Sequence, residues 1–351
     1  MGVIGKGTRA RAGRRRATAA VALAAGCALT ATAWTLRPAP AGEGHAGRGA
    51  PAAARTAARP AAPADTDATD TAGAGRPAAA RGTCRDGEAD ASLRPSAADG
   101  PAVQQIKKRG HLVAGIDQNS YRWGYRDPES GEPVGFDIDL VRAIAKDILG
   151  DGGKVVFLAI PTSRRIPAVQ QHQVDVVVRT MTINCERAGK VAFSTAYFEA
   201  GQQLLAPKDS AVTAFDDSLR GKRICAAKGS TAETELKKND HGASVLTVPN
   251  QLDCLVRVQL GQADAVLTDS ALAAGQAAQD PSVKLFGKPF TKELYGVAMN
   301  QEDTDLVRRV NKVLEDYRGG GAAGPWMQAY RKWLAADLPG ITAPPAPKYL
   351  D

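Results

Sequence analysis

Hydrophobic residues follow two alternating patterns between residues 101 and 336 of this chain. Short runs rich in β-branched residues, such as 155–160 and 174–178, predict buried strands. Between them, apolar residues recur at helical spacing: Ile138, Val141, Ile144 and Ile148 predict a helix that Asp137 caps and Gly150 ends. Because strands and helices alternate along this region, the sequence predicts an α/β fold built on parallel sheets.

The pattern is different at the N-terminus. Six basic residues within residues 1–16 precede an uncharged, Ala-rich run over 17–36, which is typical of an export signal. Cys27 follows Ala24-Ala25-Gly26, which resembles a lipobox and predicts a lipidated Cys27. Two alternatives remain: cleavage after Ala31-Thr32-Ala33, or an uncleaved anchor, since the run has about the 20 residues that span a bilayer. A twin-arginine signal is the weaker interpretation of residues 14–16. Each alternative places the rest of the chain outside the cytoplasm.

Residues 37–100 are rich in Ala, Pro, Gly, Thr and Asp and nearly lack large apolar side chains. Such a segment cannot bury enough apolar surface to order itself, so we predict a disordered tether. A flexible chain of this length spans about 40–50 Å. We expect the tether to hold the folded part at a distance from its point of membrane attachment.

The net charge of +8 is unevenly distributed. Residues 1–100 hold 14 of the 45 Lys and Arg residues but only 8 of the 37 Asp and Glu residues. The remaining chain is therefore close to neutral, and the sequence predicts no basic surface for nucleic acid.

Five cysteines are present, and none has the paired spacing of a zinc site. If Cys27 is lipidated, an even number remains in an oxidising compartment. Four cysteines allow three connectivities, of which we predict Cys84–Cys185 and Cys225–Cys254. The alternative is four free, buried thiols.

Polar residues cluster where the strand over residues 174–178 ends. Arg179, Thr180 and Thr182 follow it directly, and Arg187 comes five residues later. In an open α/β sheet, ligands bind beyond the carboxyl ends of the strands, and a guanidinium with hydroxyls suits a carboxylate. The alternative is a solvated polar loop.

Several segments together resemble the family-3, amino-acid type of solute-binding proteins that serve ABC importers. The resemblance covers residues 104–336 and rests on Gly135-Phe136-Asp137-Ile138-Asp139-Leu140, Arg165-Ile166-Pro167-Ala168, Thr180-Met181-Thr182-Ile183, Gly229-Ser230-Thr231 and Asp264-Ala265-Val266-Leu267-Thr268-Asp269. It implies the two-lobe, type II periplasmic-binding-protein fold, with two hinge strands and a ligand cleft between the lobes. Lobe 1 would comprise residues 101–205 plus 296–340, and lobe 2 residues 206–295. Residues 341–351 would form a C-terminal tail.

The resemblance also implies a binding site for a free amino acid. Arg187 stands where the family binds the ligand's α-carboxylate, with Thr182 as an additional donor. Ser230 and Thr231 begin a helix whose free N–H groups would bind the same anion. Asp269 would hold the α-ammonium and Thr180 would accept from it. The alternative role of Asp269 is a helix cap or a structural ion pair.

Side-chain specificity rests on the remaining residues. Arg165 resembles an arginine that binds the side-chain carboxylate in glutamate/aspartate binders, and Arg179 lies nearby. These arginines favour an acidic, glutamate-like ligand, although Asp117 would suit a basic one and either arginine could face solvent. Tyr121 and Trp123 would pack on the ligand or, equally, in the core of the lobe.

We therefore expect a monomeric receptor, without cofactor or metal, that delivers an amino acid to an ABC permease and is attached to the membrane through its N-terminus. A sensor that engages a membrane signalling protein is one alternative. An enzyme resembling cyclohexadienyl dehydratases is another; it would need a general acid, and Glu199 is a candidate by residue type only.

Overall fold

The structure is a computed structural model that describes Gly2, Cys84 and residues 89–350. The predicted export segment, apart from Gly2, lies outside the described residues, as do Cys27 and the predicted tether up to residue 88, apart from Cys84. The helices are α1 (Pro101–Arg109), α2 (Phe136–Leu149), α3 (Arg165–Gln170), α4 (Cys185–Ala188), α5 (Thr231–Lys238), α6 (Gln251–Gln259), α7 (Ser270–Gln279), α8 (Thr304–Arg318) and α9 (Pro325–Trp333).

Seventeen short strands occur within the described residues. They are β1 (Ala91–Ser92), β2 (Leu112–Ile116), β3 (Asn119–Ser120), β4 (Gly124–Arg126), β5 (Pro133–Val134), β6 (Val155–Ala159), β7 (Val176–Val177), β8 (Ala192–Phe193), β9 (Phe198–Ala200), β10 (Gln202–Pro207), β11 (Arg223–Ala227), β12 (Ser244–Val248), β13 (Ala265–Asp269), β14 (Val283–Phe286), β15 (Glu293–Tyr295), β16 (Ala298–Met299) and β17 (Lys348–Tyr349).

Lobe 1 is built on a five-stranded sheet in the order β6-β2-β7-β16-β8. Strand β2 is parallel to β6 and β7, whereas β16 is antiparallel to β7 and β8. The apolar stripes of α2 and α8 pack on one face of this sheet, and α3 packs on the other. Burying both faces explains why β2 and β7 are apolar along their whole length.

Lobe 2 repeats this architecture with the strand order β12-β11-β13-β10-β14. Strands β11, β12 and β13 are parallel, and β10 is antiparallel to β13 and β14. Helix α5 covers one face, and α6 and α7 cover the other. Both sheets are therefore mixed. The prediction of parallel sheets was wrong for β16 in lobe 1 and β10 in lobe 2. Each follows a strand that joins the lobes and enters its sheet without a preceding crossover helix.

The lobes are joined by β9 and β15, which pair antiparallel with Leu294 opposite Glu199. These are the two hinge strands that the resemblance implies. The chain enters the sheet of lobe 2 at Gln202, four residues before the predicted boundary at residue 206. An aromatic cluster that includes Trp123, Phe198 and Tyr295 packs around the hinge.

The start of α2 differs from the prediction. Its N-cap is Gly135, whose φ of 131° is closed to other residues, and a Cβ there would lie 2.4 Å from the carbonyl oxygen of Trp123. Asp137 is therefore inside the helix rather than its cap, and its side chain is buried. Gly150 ends the helix in a left-handed conformation, as its position predicts.

Residues 89–100 pack against lobe 1, although the composition of residues 37–100 predicts a disordered tether. Strand β1 pairs in parallel with β17 near the C-terminus, and we call this pair the terminal clasp. Asn311, which is completely buried, donates to Ser92 Oγ at 2.8 Å and to the carbonyl oxygen of Leu93 at 2.7 Å. Hydrogen bonds and the packing of Ala89 and Leu93 against the core of lobe 1 together order this segment, so the composition of residues 37–100 as a whole could not reveal it.

The structure contains both predicted disulfides. Cys84 is bonded to Cys185 at the start of α4, which attaches the N-terminal segment to lobe 1. Cys225 on β11 is bonded to Cys254 on α6, within the core of lobe 2. Within the described part of the chain, no helix has the length and apolar character needed to cross a membrane.

Candidate functional site

Two neighbouring cavities open between the lobes. The larger, of about 510 Å³, is lined by Arg165 and Arg187 from lobe 1 and by Gly229 from lobe 2; we call it the guanidinium cavity. The smaller, of about 320 Å³, is lined by residues that include Thr182, Thr231 and Glu293; we call it the acid cavity. Because Asn184 and Thr234 line both cavities, the two form adjoining parts of one cleft.

Arg187 lies on the lobe 1 side of the cleft and lines the guanidinium cavity. It sits on the short helix α4, which Asn184 caps by accepting the N–H of Arg187 at 2.9 Å. Its guanidinium donates to the carbonyl oxygen of Thr182 at 2.8 Å and, across the cleft, to that of Gly229 at 3.2 Å. Burial lowers the pKa of Arg187, and no carboxylate in the described part of the chain lies within 4.0 Å of it.

Arg165 stands beside Arg187 and also donates only to carbonyl oxygens. Its partners are Thr162 at 2.9 Å, Arg179 at 3.3 Å, Thr180 at 3.5 Å and, across the cleft, Gly229 at 3.3 Å. Burial, followed by the charges of Arg187 and Arg179, holds its pKa well below the usual value. This wall of the cleft therefore carries buried positive charge whose hydrogen-bond partners are all carbonyl oxygens, with carboxylates acting only from a distance.

The opposite wall is acidic. Asp269 ends β13 and is buried; Gln202 Nε2 donates to its Oδ1, and Tyr295 Oη donates to its Oδ2 at 2.7 Å. Burial and then the negative charge of Glu293 raise the pKa of Asp269 to about 7, while the Tyr295 hydrogen bond, the charge of Arg187 and the Gln202 hydrogen bond oppose this rise. Asp269 itself lines neither of the two cavities.

Glu293 is the second buried carboxylate on this wall. Its oxygens accept hydrogen bonds from Thr291 at 2.9 Å and from Thr231 at 3.0 Å. The Thr231 hydroxyl also accepts from Gln202 at 3.0 Å, which links Glu293 to Asp269 through two side chains. Thr231 thus contributes a hydroxyl to the acidic wall, in addition to beginning α5.

Neither Glu293 nor Gln202 is predicted from the sequence to be a site residue. Glu293 is one acid in a Thr-Lys-Glu-Leu-Tyr segment that resembles a surface turn, and only the pairing of β15 with β9 shows that it is buried. One signal was available for Gln202: it is the first of two long polar side chains at the start of a strand that is otherwise apolar. A buried amide in such a place has to find partners, which points to a site.

Arg179 has different partners from those predicted. Its guanidinium is completely buried and forms a salt bridge with Asp117 at 2.9 Å. It also donates to Thr162 Oγ1 at 2.9 Å and, across the cleft, to Asn250 Oδ1 at 3.2 Å. The ligand-binding role of Arg179 stays a prediction; in the structure Asp117 neutralises its charge and Asn250 gives it an interlobe contact. The same salt bridge engages Asp117, which the sequence also suggested as a contact for a basic ligand.

Three other residues for which a ligand contact was considered, Ser230, Tyr121 and Trp123, have contacts within the protein. Ser230 caps α5 by accepting the N–H of Glu233 at 3.1 Å, and Glu233 in turn accepts the N–H of Gly229 at 2.6 Å. The N–H of Gly229 is therefore already bonded within lobe 2. The ring of Tyr121 packs against Tyr125, outside both cavities, and the ring of Trp123 lies in the core beside the hinge.

In the described part of the chain, no group of three or more His, Cys, Asp or Glu side chains is arranged to hold a metal ion. What the site offers instead is opposite buried charge on two walls of one cleft, with the Thr182 and Thr231 side chains at the acid cavity. Such an arrangement is complementary to a small dipolar molecule that carries a carboxylate and an ammonium.

The chain is similar in sequence and in fold to several known binding proteins. The chain is 38% identical to the ABC transporter glutamine-binding protein GlnH of Bacillus subtilis over 232 residues, which cover 66% of this chain and 84% of the relative. It is 29% identical to the L-glutamate/L-aspartate-binding protein of Pseudomonas aeruginosa over 248 residues, covering 68% and 81%. The solved structure of an ancestral arginine-binding protein bound to arginine matches with a TM-score of 0.59 and 37% identity, covering 64% and 99%.

These relatives differ in the amino acids that their names record. The family model for bacterial extracellular solute-binding proteins, family 3, matches residues 112–336, which is more than half of the chain. The chain therefore belongs to family 3 of the bacterial extracellular solute-binding proteins.

Proposed function

We propose that this protein captures a free amino acid between its lobes and presents it to the permease of an ABC importer. The observation that carries the proposal is the separation of buried charge across the cleft. Arg165 and Arg187 face one cavity and Glu293 lines the adjoining one, with Asp269 behind it, and none of the four forms a salt bridge in the described part of the chain. A zwitterion would satisfy both walls at once.

In this proposal Arg187 binds the α-carboxylate and Asp269 binds the α-ammonium. Arg187 would exchange its bond to the Gly229 carbonyl for two parallel bonds to the carboxylate. Thr182 and Thr180 would contact the ligand between these ends. Ligand bonds to both lobes would favour the closed form over the open one, and a permease could recognise the difference.

In this proposal the cleft binds the amino acid without converting it chemically. Glu199, the general-acid candidate, is exposed on hinge strand β9 and lines neither cleft cavity.

For the ligand's side chain, the charge balance supports a neutral carboxamide such as that of glutamine. Asp117 neutralises Arg179, so the buried charges that remain on the two cleft walls are Arg165 and Arg187 against Asp269 and Glu293. A ligand without net charge preserves this balance, and burying a further unpaired charge is costly. The Bacillus subtilis relative is named for glutamine, which supports the same choice.

An acidic, glutamate-like ligand is the second candidate. It is favoured by Arg165, whose guanidinium has only carbonyl partners and lines the larger cavity. The Pseudomonas aeruginosa relative, named for L-glutamate and L-aspartate, supports it.

The test is a thermal-unfolding screen of the purified full-length chain against the twenty amino acids, followed by calorimetric titration. A ligand at a hundred times its Kd should stabilise the protein by about 2.7 kcal/mol. Arg187→Ala should remove this stabilisation for every amino acid, since the bidentate carboxylate contact is lost. Arg165→Ala should instead change the ranking of glutamine, glutamate and arginine.

Arg164→Ala is the matched control, because Arg164 is exposed and precedes Arg165. It should bind as the unaltered chain does. Unchanged affinity in Arg187→Ala would contradict the carboxylate role, and a chain that binds none of the twenty amino acids would contradict the proposed function.

A further inference from the structure

The two disulfides differ in their access to solvent. Cys225 and Cys254 are completely buried in the core of lobe 2. In the other bridge, Cys84 is exposed and Cys185 is half-buried. Thiol–disulfide exchange begins when a thiolate attacks a sulfur of the bridge, so access decides which bridge a reductant reaches. The folded protein therefore exposes Cys84–Cys185 to a reductant and shields Cys225–Cys254.

The exposed bridge is attached to a helix that carries a residue of the cleft. Cys185 is the first residue of α4, and Arg187, which lines the guanidinium cavity, lies two positions later. At four residues, α4 is too short to be stable by itself, so its contacts with the rest of lobe 1 determine its position. Besides the bridge, these contacts include the buried side chain of Ala188 and a hydrogen bond at 2.9 Å from Gln301 to the Ala188 carbonyl oxygen. The bridge is thus one of the restraints that orient Arg187.

The N-terminal side of the bridge also reaches the cleft. Ala89 and Asp90, which we call the strap, line the acid cavity together with Asn184 of lobe 1 and Thr234 of lobe 2. Ala89 is buried in an apolar cluster of lobe 1, and Asp90 forms a salt bridge with Lys348 at 2.6 Å. The strap lies outside residues 112–336, the part of the chain that the family model matches, so it is an addition to the matched fold.

The strap is held on both sides. Cys84 attaches the chain before it to α4, and β1, which follows Asp90 directly, holds the chain after it in the terminal clasp. Breaking the bridge releases the first attachment and leaves the second intact. The strap and the start of α4 then gain conformational freedom beside the cleft. A ligand that binds there has to order them again, which lowers its affinity.

We propose that Cys84–Cys185 is a site of thiol–disulfide exchange with a dithiol, and that its reduction weakens the binding of an amino acid in the cleft. The inference rests on the proposed function and adds a means of regulating it. In the exchange, one thiolate of the dithiol attacks a sulfur of the bridge, and the second thiol resolves the mixed disulfide. The bridge gains two electrons and two protons and becomes two thiols, while the dithiol becomes a disulfide.

The first experiment treats the folded full-length chain with dithiothreitol, alkylates the thiols and locates the labels by mass spectrometry. Cys84 and Cys185 should be labelled, and Cys225 and Cys254 should not. Calorimetric titration with L-glutamine and L-glutamate then compares the oxidised and reduced chains. Reduction should raise both Kd values about fivefold, the effect of one hydrogen bond, and leave their ratio unchanged because Arg187 is retained. A bridge that resists reduction, equal labelling of both bridges, or unchanged Kd values overturns the inference.

Cys84→Ser gives a second measurement, because it removes the bridge without a reductant and leaves every residue of α4 in place. It should bind with the Kd of the reduced chain, and dithiothreitol should not change that Kd further. Binding equal to that of the oxidised, unaltered chain would contradict the proposed role of the bridge.

Hydrogen exchange without ligand separates this inference from the proposed function. Residues 182–190 should exchange faster in Cys84→Ser than in the unaltered chain, while residues 223–269 of lobe 2 should exchange at the same rate. Equal rates over residues 182–190 overturn the inference and leave the proposed function intact. Absence of amino-acid binding by the oxidised, unaltered chain would instead refute the proposed function and, with it, the regulation of binding.

Discussion

Thr180 holds a left-handed backbone conformation, with a φ of 40°, although its side chain is branched at Cβ. Such a conformation costs on the order of 1–3 kcal/mol and persists only where neighbours enforce it. Here Asp137 enforces it, since its buried carboxylate accepts the N–H of Thr180 at 2.9 Å and the hydroxyl of Tyr197 at 2.9 Å. The backbone of the segment that leads to Arg187 is therefore set by an acid on α2.

Asp137 has a predictable effect on stability. Burial, offset in part by the Tyr197 and Thr180 hydrogen bonds, raises its pKa from 3.8 to about 7. Between about pH 4 and pH 7 the folded protein thus keeps a proton that the unfolded chain has released, so the free energy of unfolding declines as pH rises through this window. The full shift corresponds to roughly 4 kcal/mol.

We therefore expect Asp137→Asn to flatten the dependence of stability on pH between 4 and 7, measured by denaturant unfolding without ligand. Asparagine keeps an acceptor for the Thr180 N–H and removes the ionisation. A pH profile parallel to that of the unaltered chain would show that Asp137 does not carry this linkage.

At the scale of elements, the lobes hold each other directly, without ligand, on one side of the cleft. Thr162, before α3, accepts from Arg179 and donates to Gln251 Oε1 at 3.2 Å at the start of α6. Arg179 reaches Asn250 in the same loop. We call Thr162, Arg179, Asn250 and Gln251 the interlobe latch. Its bonds lower the free energy of the closed form whatever the ligand is.

Thr162→Val should open this latch with little change in side-chain volume. Of the two hydrogen bonds lost, only the one to Gln251 joins the lobes; at about 1 kcal/mol, its loss should speed ligand dissociation by roughly fivefold and leave the ranking of amino acids unchanged. Stopped-flow fluorescence measures the rate. Thr268→Val is the control, because Thr268 is as buried as Thr162 but lies within β13. A changed ranking with unchanged dissociation would contradict the latch.

Element boundaries were largely predictable from the sequence, and contacts between elements were not. Gly150 marks the end of α2, and the breaker after Arg318 marks the end of α8, because these signals are local. The partner of Arg179, by contrast, is Asp117, 62 positions earlier in the numbering. Local patterns place Arg179 at a strand end, but only the sheet order brings Asp117 beside it, so the sequence could not separate a latch from a ligand contact.

Of the predicted site, Arg187 and Asp269 lie on opposite walls of one cleft, close enough for each charge to shift the pKa of the other. Their chemistry follows from residue type and motif. Glu293 depends on the turn that brings hinge strand β15 back against β9, which is tertiary information.

At the scale of the whole molecule, the two disulfides constrain different parts of the chain. Cys225–Cys254 closes a loop of 29 residues between two elements of one core, and both cysteines are fully buried. Cys84–Cys185 spans 101 residues and attaches a terminal segment to lobe 1. The first restricts the unfolded chain of lobe 2 alone, whereas the second restricts most of lobe 1.

Cys225→Ala should lower the free energy of unfolding by about 3–4 kcal/mol, because the unfolded chain regains the entropy of an open loop. Denaturant unfolding under non-reducing conditions measures this. The double variant Cys225→Ala/Cys254→Ala should cost about as much as the single one, since either change breaks the same bond. Costs that add would show that packing, rather than the bridge, stabilises lobe 2.

The terminal clasp and Cys84–Cys185 place both ends of the folded part on lobe 1. A mechanical load that reaches the folded part from upstream of Cys84 is thus transmitted into lobe 1 and does not pass through β9 or β15. The opening angle of the lobes should then be independent of any such load. Lobe 2 would remain free to close on a ligand while the N-terminal segment of lobe 1 bears the load.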